Sequence, residues 1–345
     1  MAWNGIRLDD GLSLKPGERA RLHLEAGETL TGPLRAPVTI LNGVNSGPTV
    51  TITAACHPGE YNGVMASIRL GRELDPETLA GRVNIVHVEN VAGVQAKIGH
   101  VSPIDGVNMG RAFPVPGEAV EITGNVSHQT KSPTYSMAEE IFDRLVVSSD
   151  AYIDLHGGEV FEFVPPNIEY LLTGEAGVDD ATRRLARAFG FPILWEVPTG
   201  SIPEMPTYPG RGSAVYEAQL RGVPSVFCEV GGEGRLDRNL VQLTVDGVLR
   251  VLASLGMIAE PTSPPAEPQL LIGGHVLFAS RAGMFLTQAA PADTVEAGDI
   301  LGEIIDLSGE IVERFVAPAR GVLVNVVTRG IANPGDMLYV LGRLG

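Results

Sequence analysis

Three apolar, strand-like runs of this sequence end in residues that can bind a metal or carry a proton. The run "TVTITAAC" leads into His57 and Glu60 of "HPGE", and the run "AYIDLH" ends with Asp154 and His156. The third run, "VFCEVGGEG", places Glu229 before a glycine-rich turn. Imidazole nitrogens and carboxylate oxygens are established zinc ligands, so the three strand ends together predict one polar site.

Two histidines and one carboxylate form a known ligand set for a catalytic zinc ion, whose fourth position holds water. We therefore expect His57, Glu60 and His156 to bind one Zn²⁺ per subunit. Such an ion lowers the pKa of water towards about 7 and polarises a substrate carbonyl. A carboxylate that is not a ligand can pass the water proton to a leaving amine, and we assign this role to Glu229. Asp154 either orients His156 or terminates its strand.

Each motif also has an ordinary structural interpretation. A single His57–Glu60 pair arises often by chance, "DLHGG" can be a strand end followed by a turn, and Glu229 can be a capping or ion-paired carboxylate. The occurrence of all three at strand ends favours a site. Cys56 and Cys228 each precede one of these residues, and we interpret them as small buried residues rather than as nucleophiles.

The motifs require a sheet whose strands end at a common edge. The strand candidates are 48–56, 83–88, 151–155, 168–173, 192–196 and 224–229, and the helix candidates are 62–74, 134–148, 178–189, 212–221 and 237–255. Their alternation predicts an α/β fold with a mainly parallel, mixed sheet and helices on both faces. Sites in such sheets form beyond the carboxyl ends of the strands, so the motifs converge if their strands are neighbours.

The composition divides the chain into four segments. We expect an N-terminal β segment at 1–35, a catalytic domain at 36–258, a proline-rich linker at 259–269 and a small all-β domain at 270–345. The last segment resembles the barrel-sandwich fold of biotinyl and lipoyl domains, which carry their cofactor on a lysine. No lysine follows Lys131, so a swinging arm is excluded. This domain is expected to shape the site entrance or an oligomer contact, and a homo-oligomer is left open.

The bulk composition excludes several classes of protein. A length of 345 residues suggests more than one core, and 44% hydrophobic with 19% charged residues is typical of folded proteins. The net charge of −16 opposes binding to nucleic acid or anionic membranes, so neither is an expected partner. The sequence contains neither a signal-peptide pattern nor an apolar run of membrane-spanning length, and we expect a cytoplasmic protein.

With these motifs, the sequence resembles the succinylglutamate desuccinylase/aspartoacylase family over roughly residues 45–340. The family motif H-x-G-E-x-N-G matches "HPGEYNG", D-L-H matches at His156, and E-x-G-G-x-G matches at Glu229. The resemblance implies a zinc-carboxypeptidase-like catalytic domain. It also implies that His57, Glu60 and His156 bind zinc and that Glu229 is the general base and acid.

A further family motif, which contains an adjacent asparagine–arginine pair, matches "GHVSPIDGVNMGRAFP". Arg111 matches the arginine, Gly110 replaces its asparagine partner, and His100 replaces an upstream arginine. The resemblance implies that Arg111 binds a substrate carboxylate and polarises the scissile carbonyl, with Asn108, Gly110 and His100 also at the substrate. The glycine removes amide donors and opens room, and the histidine weakens the positive charge, so the substrate class is left open.

We therefore expect a zinc-dependent amidohydrolase that cleaves the amide of a small, carboxylate-bearing N-acyl amino acid or related compound. A carboxypeptidase, an esterase or a cyclic-amide hydrolase with the same metal site is an alternative, and so is a non-catalytic binding or scaffold protein. Among the other histidines, His128 lies in a polar loop that can reach the site, whereas His23, His87 and His275 are interpreted as structural.

Overall fold

The computed structural model describes residues 13–115, 132–208, 210–259 and 267–345. His128, Lys131 and most of the predicted proline-rich linker lie outside these residues. Six α-helices are described: α1 (Tyr61–Glu73), α2 (Val91–Ala96), α3 (Pro133–Ile141), α4 (Ala176–Phe189), α5 (Ala214–Gln219) and α6 (Arg238–Ser254). A π-helical turn, Phe142–Val146, continues α3. Within the described ranges, no helix combines the length and apolar character needed to cross a membrane.

The described residues contain fifteen strands. They are β1 (Glu18–Thr29), β2 (Gly32–Asn42), β3 (Asn45–Ala54), β4 (Ala80–Val86), β5 (Ala151–His156), β6 (Glu162–Leu172), β7 (Ile193–Pro198), β8 (Ser225–Gly232), β9 (Gln269–Phe278), β10 (Met284–Thr287), β11 (Thr294–Val295), β12 (Ile300–Ile305), β13 (Ile311–Val316), β14 (Gly321–Val327) and β15 (Met337–Leu344).

Twelve of these strands form one mixed sheet in the order β1-β2-β4-β3-β5-β8-β6-β7-β9-β15-β14-β11. The four consecutive strands β4, β3, β5 and β8 are parallel to one another, whereas β6 is antiparallel to β8. The strands β10, β12 and β13 form a separate three-stranded sheet. The predicted mixed α/β fold with a β-rich C-terminal region is therefore confirmed.

The strand β6 pairs with β14 in addition to β7 and β8. Because β7 pairs with β9, β9 with β15 and β15 with β14, the strands β6, β7, β9, β15 and β14 close a ring of hydrogen-bonded neighbours. We call these five strands the strand ring. It ties the C-terminal strands to the preceding α/β segment, while the domain boundaries drawn from the sequence stay a prediction.

The two faces of the central sheet bury separate hydrophobic clusters. One face packs under α1, α4 and α6, with Leu155 and Cys228 of the sheet among its buried residues. The opposite face packs under α3 and α5, with Tyr152 and Trp195 among its buried residues. A third cluster fills the C-terminal region around Tyr339. Alternate residues of a strand point to opposite faces, so a polar residue among those that face α3 and α5 must find partners within that layer.

Candidate active site

The carboxyl ends of β3, β5 and β8 meet at one edge of the sheet because the three strands are parallel neighbours. The register places His156 opposite Glu229. Beyond β3 the chain turns at Ala55, which has a φ of 54° although it is not a glycine. The N–H of Asn90 donates to the Ala55 carbonyl at 3.0 Å and holds this turn. Left-handed backbone at a non-glycine residue costs energy and persists where the surroundings fix it, commonly at functional sites.

The turn "HPGE" brings His57 and Glu60 together at the start of α1. Gly59 is needed between them because a Cβ at this position would lie 2.4 Å from Oε2 of Glu159. The N–H of Gly59 donates to the other oxygen of Glu159 at 3.3 Å. The strand, the left-handed residue and the glycine thus direct both side chains to the same point.

His57, Glu60 and His156 form a compact group whose potential ligand atoms all lie within 4.8 Å of one another. We call these three residues the ligand group. Nδ1 of His57 is 3.0 Å from Oε1 of Glu60, and Nδ1 of His156 is 3.3 Å from Oε2 of Glu60. Oε2 of Glu60 is buried and has no hydrogen-bond donor among the described residues. Two imidazoles converging on a buried carboxylate suit a divalent cation such as zinc.

The second nitrogen of each imidazole faces an acceptor. Nε2 of His57 is 3.1 Å from Oδ1 of Asn108, which also accepts the N–H of Gly110 at 2.9 Å. Nε2 of His156 is 3.0 Å from Oδ2 of Asp154. In the tautomer with the proton on Nε2, the lone pair of Nδ1 is left for a ligand. Asn108 and Asp154 are therefore placed to orient the two histidines for a metal ion.

Asp154 is itself held by a hydrogen-bonded chain. The hydroxyl of Thr53 donates to Oδ1 of Asp154 at 2.7 Å, so the hydroxyl of Tyr152 must donate to Thr53, also at 2.7 Å. Although burial opposes it, the negative charges of Asp154 and Glu60 raise the pKa of His156 well above its ordinary value. The ligand group is thus an electronegative position that favours a cation.

Glu229 lies beside this group, half-buried and bordering the same cavity as His57 and His156. Burial, with the nearby negative charges of Glu60 and Glu169, raises the pKa of Glu229 well above its ordinary value. A raised pKa makes the carboxylate a stronger base, which suits a group that accepts a proton and later returns it.

The segment "NMGRAFP" places Gly110 against the first ligand histidine. A Cβ on Gly110 would lie 2.8 Å from Nε2 of His57 and 3.2 Å from Oδ1 of Asn108. A larger residue at this position would therefore meet the His57 ring, although Gly110 also borders a small cavity together with Arg111 and Glu229. That this glycine opens room at the site stays a prediction. Arg111 borders the cavity and uses Nη1 to donate to the Gly110 carbonyl at 2.9 Å. It forms no ion pair with another described residue.

His100 borders the cavity with its ring centroid 5.5 Å from that of His57. His57, His100 and Glu159 make a second group of possible ligands. Both oxygens of Glu159 are engaged, however, because they accept backbone N–H groups from Gly59, His100 and Val160. Glu159 thus joins the loop that contains Gly59 to the loop that contains His100.

The cavity beside the ligand group has a volume of about 260 Å³. Every strand of the strand ring contributes to its wall. Examples are Glu169 of β6, Trp195 of β7, Val276 of β9, Val324 of β14 and Val340 of β15. The C-terminal β region thus forms part of the wall of the candidate active site.

The sequence interpretation missed the wall residues Asn167, Glu169 and Tyr208. A signal for two of them exists in "NIEYLL" of β6, where Asn167 and Glu169 alternate with Ile168 and Tyr170. This period of two places both polar residues on one face of a strand that is otherwise apolar and buried. Tyr208 lies in an irregular segment, and no pattern in the sequence marks it.

Comparison with known proteins identifies the family to which this chain belongs. Residues 46–255 match the family described as the succinylglutamate desuccinylase/aspartoacylase catalytic domain. The chain belongs to the succinylglutamate desuccinylase/aspartoacylase family. The family resemblance noted in the sequence is therefore confirmed.

Named relatives cover nearly the whole chain. The N-alpha-acetyl-L-2,4-diaminobutyric acid deacetylase of Halomonas elongata is 26% identical, over 94% of this chain and 90% of the relative. A succinylglutamate desuccinylase/aspartoacylase from Rhodobacter sphaeroides has a TM-score of 0.82 at 22% identity, over 97% of this chain and 99% of that one. The ectoine utilization protein EutE from Ruegeria pomeroyi has a TM-score of 0.80 at 22% identity, over 96% and 98%. At these identities the structural likeness shows the fold.

Proposed function

We propose that the protein is a zinc-dependent amidohydrolase that removes the acyl group from a small N-acyl amino acid. The observation that carries this proposal is the group His57, Glu60 and His156 with Glu229 beside it, at the edge of a cavity in a chain of this family. The relatives named as a deacetylase and as a desuccinylase support an acyl-transfer reaction to water. A zinc-carboxypeptidase-like arrangement of the catalytic domain is part of the same proposal.

In this proposal one zinc ion per subunit is held by Nδ1 of His57, Nδ1 of His156 and the Glu60 carboxylate. When bound, zinc lowers the pKa of a water molecule towards about 7 and polarises the scissile carbonyl. Asn108 faces Nε2 of His57, and the Asp154 carboxylate lies 3.0 Å from Nε2 of His156, so both residues help to keep the rings in the orientation that a ligand needs.

Glu229 moves the proton. Its carboxylate takes a proton from the attacking water while the water oxygen forms a bond to the acyl carbon. The bond between the acyl carbon and nitrogen then breaks, and Glu229 returns the proton to the leaving nitrogen. The products are a carboxylate and a free amine. The raised pKa of Glu229 supports this role because the proton must be kept until the nitrogen leaves.

Arg111 supplies positive charge for the substrate. Its Nη1 donates to the Gly110 carbonyl, which orients the guanidinium, while its other N–H groups have no acceptor among the described residues. A guanidinium binds a carboxylate through two parallel hydrogen bonds and also stabilises negative charge that develops on a carbonyl oxygen. We assign it the substrate carboxylate and the scissile carbonyl, with His100 beside it on the cavity wall.

The test is a substrate screen with metal-analysed protein. Protein loaded with one equivalent of Zn²⁺ is incubated with N-acetyl and N-succinyl amino acids, dipeptides, esters and lactams, and the released amine or carboxylate is quantified by mass spectrometry. We expect hydrolysis of N-acyl amino acids that is lost on chelation and restored by Zn²⁺. Hydrolysis of only dipeptides, esters or lactams contradicts the proposed substrate, and an absence of any hydrolysis contradicts the enzyme.

A further inference from the structure

The position of the Arg111 guanidinium depends on the backbone that carries it. The one side-chain hydrogen bond from Arg111 to a described residue joins Nη1 to the adjacent Gly110 carbonyl. The backbone N–H of Arg111 donates to the Asn108 carbonyl at 3.1 Å, inside a 3₁₀ turn that ends at Arg111. Residues 112–114 then lie outside helices and strands. Contacts from elsewhere in the chain must therefore hold the segment 111–114 in place.

Gly212 makes the first of these contacts. Its carbonyl accepts the N–H of Phe113 at 3.0 Å. Its φ is +82°, and a Cβ at this position would lie 2.6 Å from the carbonyl oxygen of Arg111, so the close approach requires a glycine. The next residue, Ser213, borders the small cavity that Arg111 and Glu229 also border. The segment that packs on Arg111 is thus itself part of the wall of the site.

Glu217 of α5 anchors Gly212. The side chain of Glu217 is fully buried, and its Oε1 accepts the N–H of Gly212 at 3.2 Å and Nε of Arg211 at 2.7 Å. Its Oε2 accepts Nη1 of Arg221 at 3.0 Å. Both oxygens are therefore engaged, and two guanidinium groups offset the buried negative charge, as a buried carboxylate requires.

Arg221 extends this connection to the far end of the segment. Its Nη2 donates to the Pro114 carbonyl at 2.9 Å, and its Cζ lies 4.7 Å from the centroid of the Phe142 ring. A guanidinium that stacks on an aromatic ring and bonds at two nitrogens has a fixed orientation. Glu217 thus reaches the segment 111–114 twice, once through Gly212 and once through Arg221.

We infer that Glu217 is a positioning residue, which fixes the segment 111–114 so that the Arg111 guanidinium meets the substrate carboxylate beside the ligand group. The inference rests on the proposed function, in which Arg111 binds that carboxylate. Glu217 is not among the described residues that line either cavity, so it acts through Arg111. Paired hydrogen bonds between a guanidinium and a carboxylate need a defined geometry, and a displacement of about 1 Å weakens both.

The test compares two matched substrates in the zinc-loaded enzyme. One is the N-acyl amino acid that is hydrolysed best, and the other is its carboxamide, in which a neutral amide replaces the carboxylate. We expect wild type to prefer the acid by about tenfold or more in kcat/KM. The ratio of the two kcat/KM values is the measurement, because any contact of Arg111 with the scissile carbonyl is common to both substrates and cancels.

Glu217→Gln keeps the shape of the side chain but replaces one acceptor oxygen with an amide donor that faces an arginine. We expect the acid-to-carboxamide ratio to fall by about tenfold. Glu196→Gln is the matched control, because it also removes an arginine-paired carboxylate, 3.0 Å from Nε of Arg183, but at a site outside the described cavity walls. This control should keep the wild-type ratio.

A double substitution tests whether Glu217 acts through Arg111. In Arg111→Gln the ratio should already be low, and the addition of Glu217→Gln should leave it within about twofold, since residues that act as one unit are not additive. A further independent decrease overturns the inference. An equal loss for both substrates in Glu217→Gln, or a lower thermal transition with an unchanged ratio, overturns it as well and leaves Glu217 a purely structural residue.

Arg221→Lys replaces Glu217→Gln if the latter does not fold. It keeps the positive charge and leaves the contact between Glu217 and Gly212 in place, but a compact ammonium replaces the planar group that joins Glu217 to Pro114. A lower acid-to-carboxamide ratio in Arg221→Lys supports the positioning role, and an unchanged ratio overturns it. The zinc content of each variant shows that the ligand group is intact.

Failure of the proposed function is distinguishable from failure of this inference. If wild type hydrolyses the acid and the carboxamide equally, the deacylase stands, while the carboxylate role of Arg111 and this inference both fail. If neither is hydrolysed, crystal structures of wild type and Glu217→Gln decide the matter. A displaced or disordered Arg111 in the variant supports the positioning role without catalysis, and the same position in both proteins overturns it.

Discussion

Two buried carboxyl groups border the same cavity but have opposite electrostatic surroundings. Although burial acts against it, the adjacent imidazoles of His156 and His57 lower the pKa of Glu60 to about 2. Burial raises the pKa of Glu169 to about 7, and Tyr208 is its one hydrogen-bond donor among the described residues. Two imidazoles contact the first carboxylate, whereas no cationic side chain of the described residues forms an ion pair with the second.

This difference separates two kinds of binding site within one cavity. Around Glu60 the chain provides the ligand atoms and the residues that orient them, as binding of a metal ion with fixed geometry requires. Around Glu169 the described residues provide one donor, the Tyr208 hydroxyl, and the rest of the nearby wall is acceptors and aromatic surface such as Trp195. In the proposed function, the first region carries out the hydrolysis.

The largest expected effect tests the chemistry of the first region. Glu229→Gln removes the proton carrier but keeps the shape of the side chain, so we expect kcat for an N-acyl amino acid to fall by about 100- to 10,000-fold. Zinc content should stay at one equivalent by elemental analysis because Glu229 is not in the ligand group. Glu310→Gln, an exposed residue, is the control. Wild-type kcat in Glu229→Gln would remove its role.

The next effect concerns the stability cost of the second region. The pKa of Glu169 in the folded protein, about 7, lies above the ordinary value of 4.5 for this side chain. The folded protein therefore retains this proton while the unfolded chain releases it, and stability is lost as pH rises from 4.5 to 7. Glu169→Gln should remove this loss and exceed wild type by at most about 3 kcal/mol above pH 7.

Denaturant unfolding of the metal-free proteins at several pH values measures this difference. The gap between Glu169→Gln and wild type should widen with pH and level off above 7. The exposed Glu310→Gln should show no such dependence. A Glu169→Gln variant that is less stable than wild type at every pH would mean that the carboxylate is satisfied within the chain, and the contrast with Glu60 would disappear.

A smaller effect is expected from the support of the ligand group. Asp154→Asn weakens the acceptor for Nε2 of His156, and we expect zinc affinity to fall by about 10- to 100-fold in a chelator competition assay. Asp180→Asn, on the exposed side of α4, is the control and should bind zinc like wild type. Unchanged affinity in Asp154→Asn would show that His156 is oriented by packing alone.

The smallest effect concerns the close packing at Gly110. Gly110→Ala places a methyl group against the His57 ring, so the ring must shift, and we expect zinc affinity to fall on the order of tenfold. Gly177→Ala is the control because a Cβ at that position meets no atom within 4 Å. Gain of activity on bulkier substrates in Gly110→Ala would contradict the assignment of this space to His57.

The sequence predicted the first region far better than the second, for physical reasons. His57, Glu60, His156 and Glu229 follow strand ends, and a parallel sheet brings such ends together whatever the details of packing. The strand and helix candidates of the α/β segment overlap the observed elements because the hydrophobic periodicity of these segments is strong. The short helix α2 is not among the helix candidates.

The second region depends on long-range pairing that a sequence does not reveal. Its wall comes from β6, β7, β9, β14 and β15, and the pairing of β6 with β14 joins residues far apart in the chain. The close approach of the His57 ring to Gly110 is likewise not visible in the motif, because it joins residues more than fifty positions apart in the chain.

The strand ring also has a consequence for the order in which the site is completed during synthesis. The ligand residues and Glu229 leave the ribosome before β9, β14 and β15 exist, since chains are made from the N-terminus. A nascent chain can therefore assemble the sheet edge that bears the reactive groups while the cavity wall around Met337 and Val340 is still missing. A chain that ended early would therefore contain the possible metal ligands and Glu229 but lack the C-terminal part of the cavity wall.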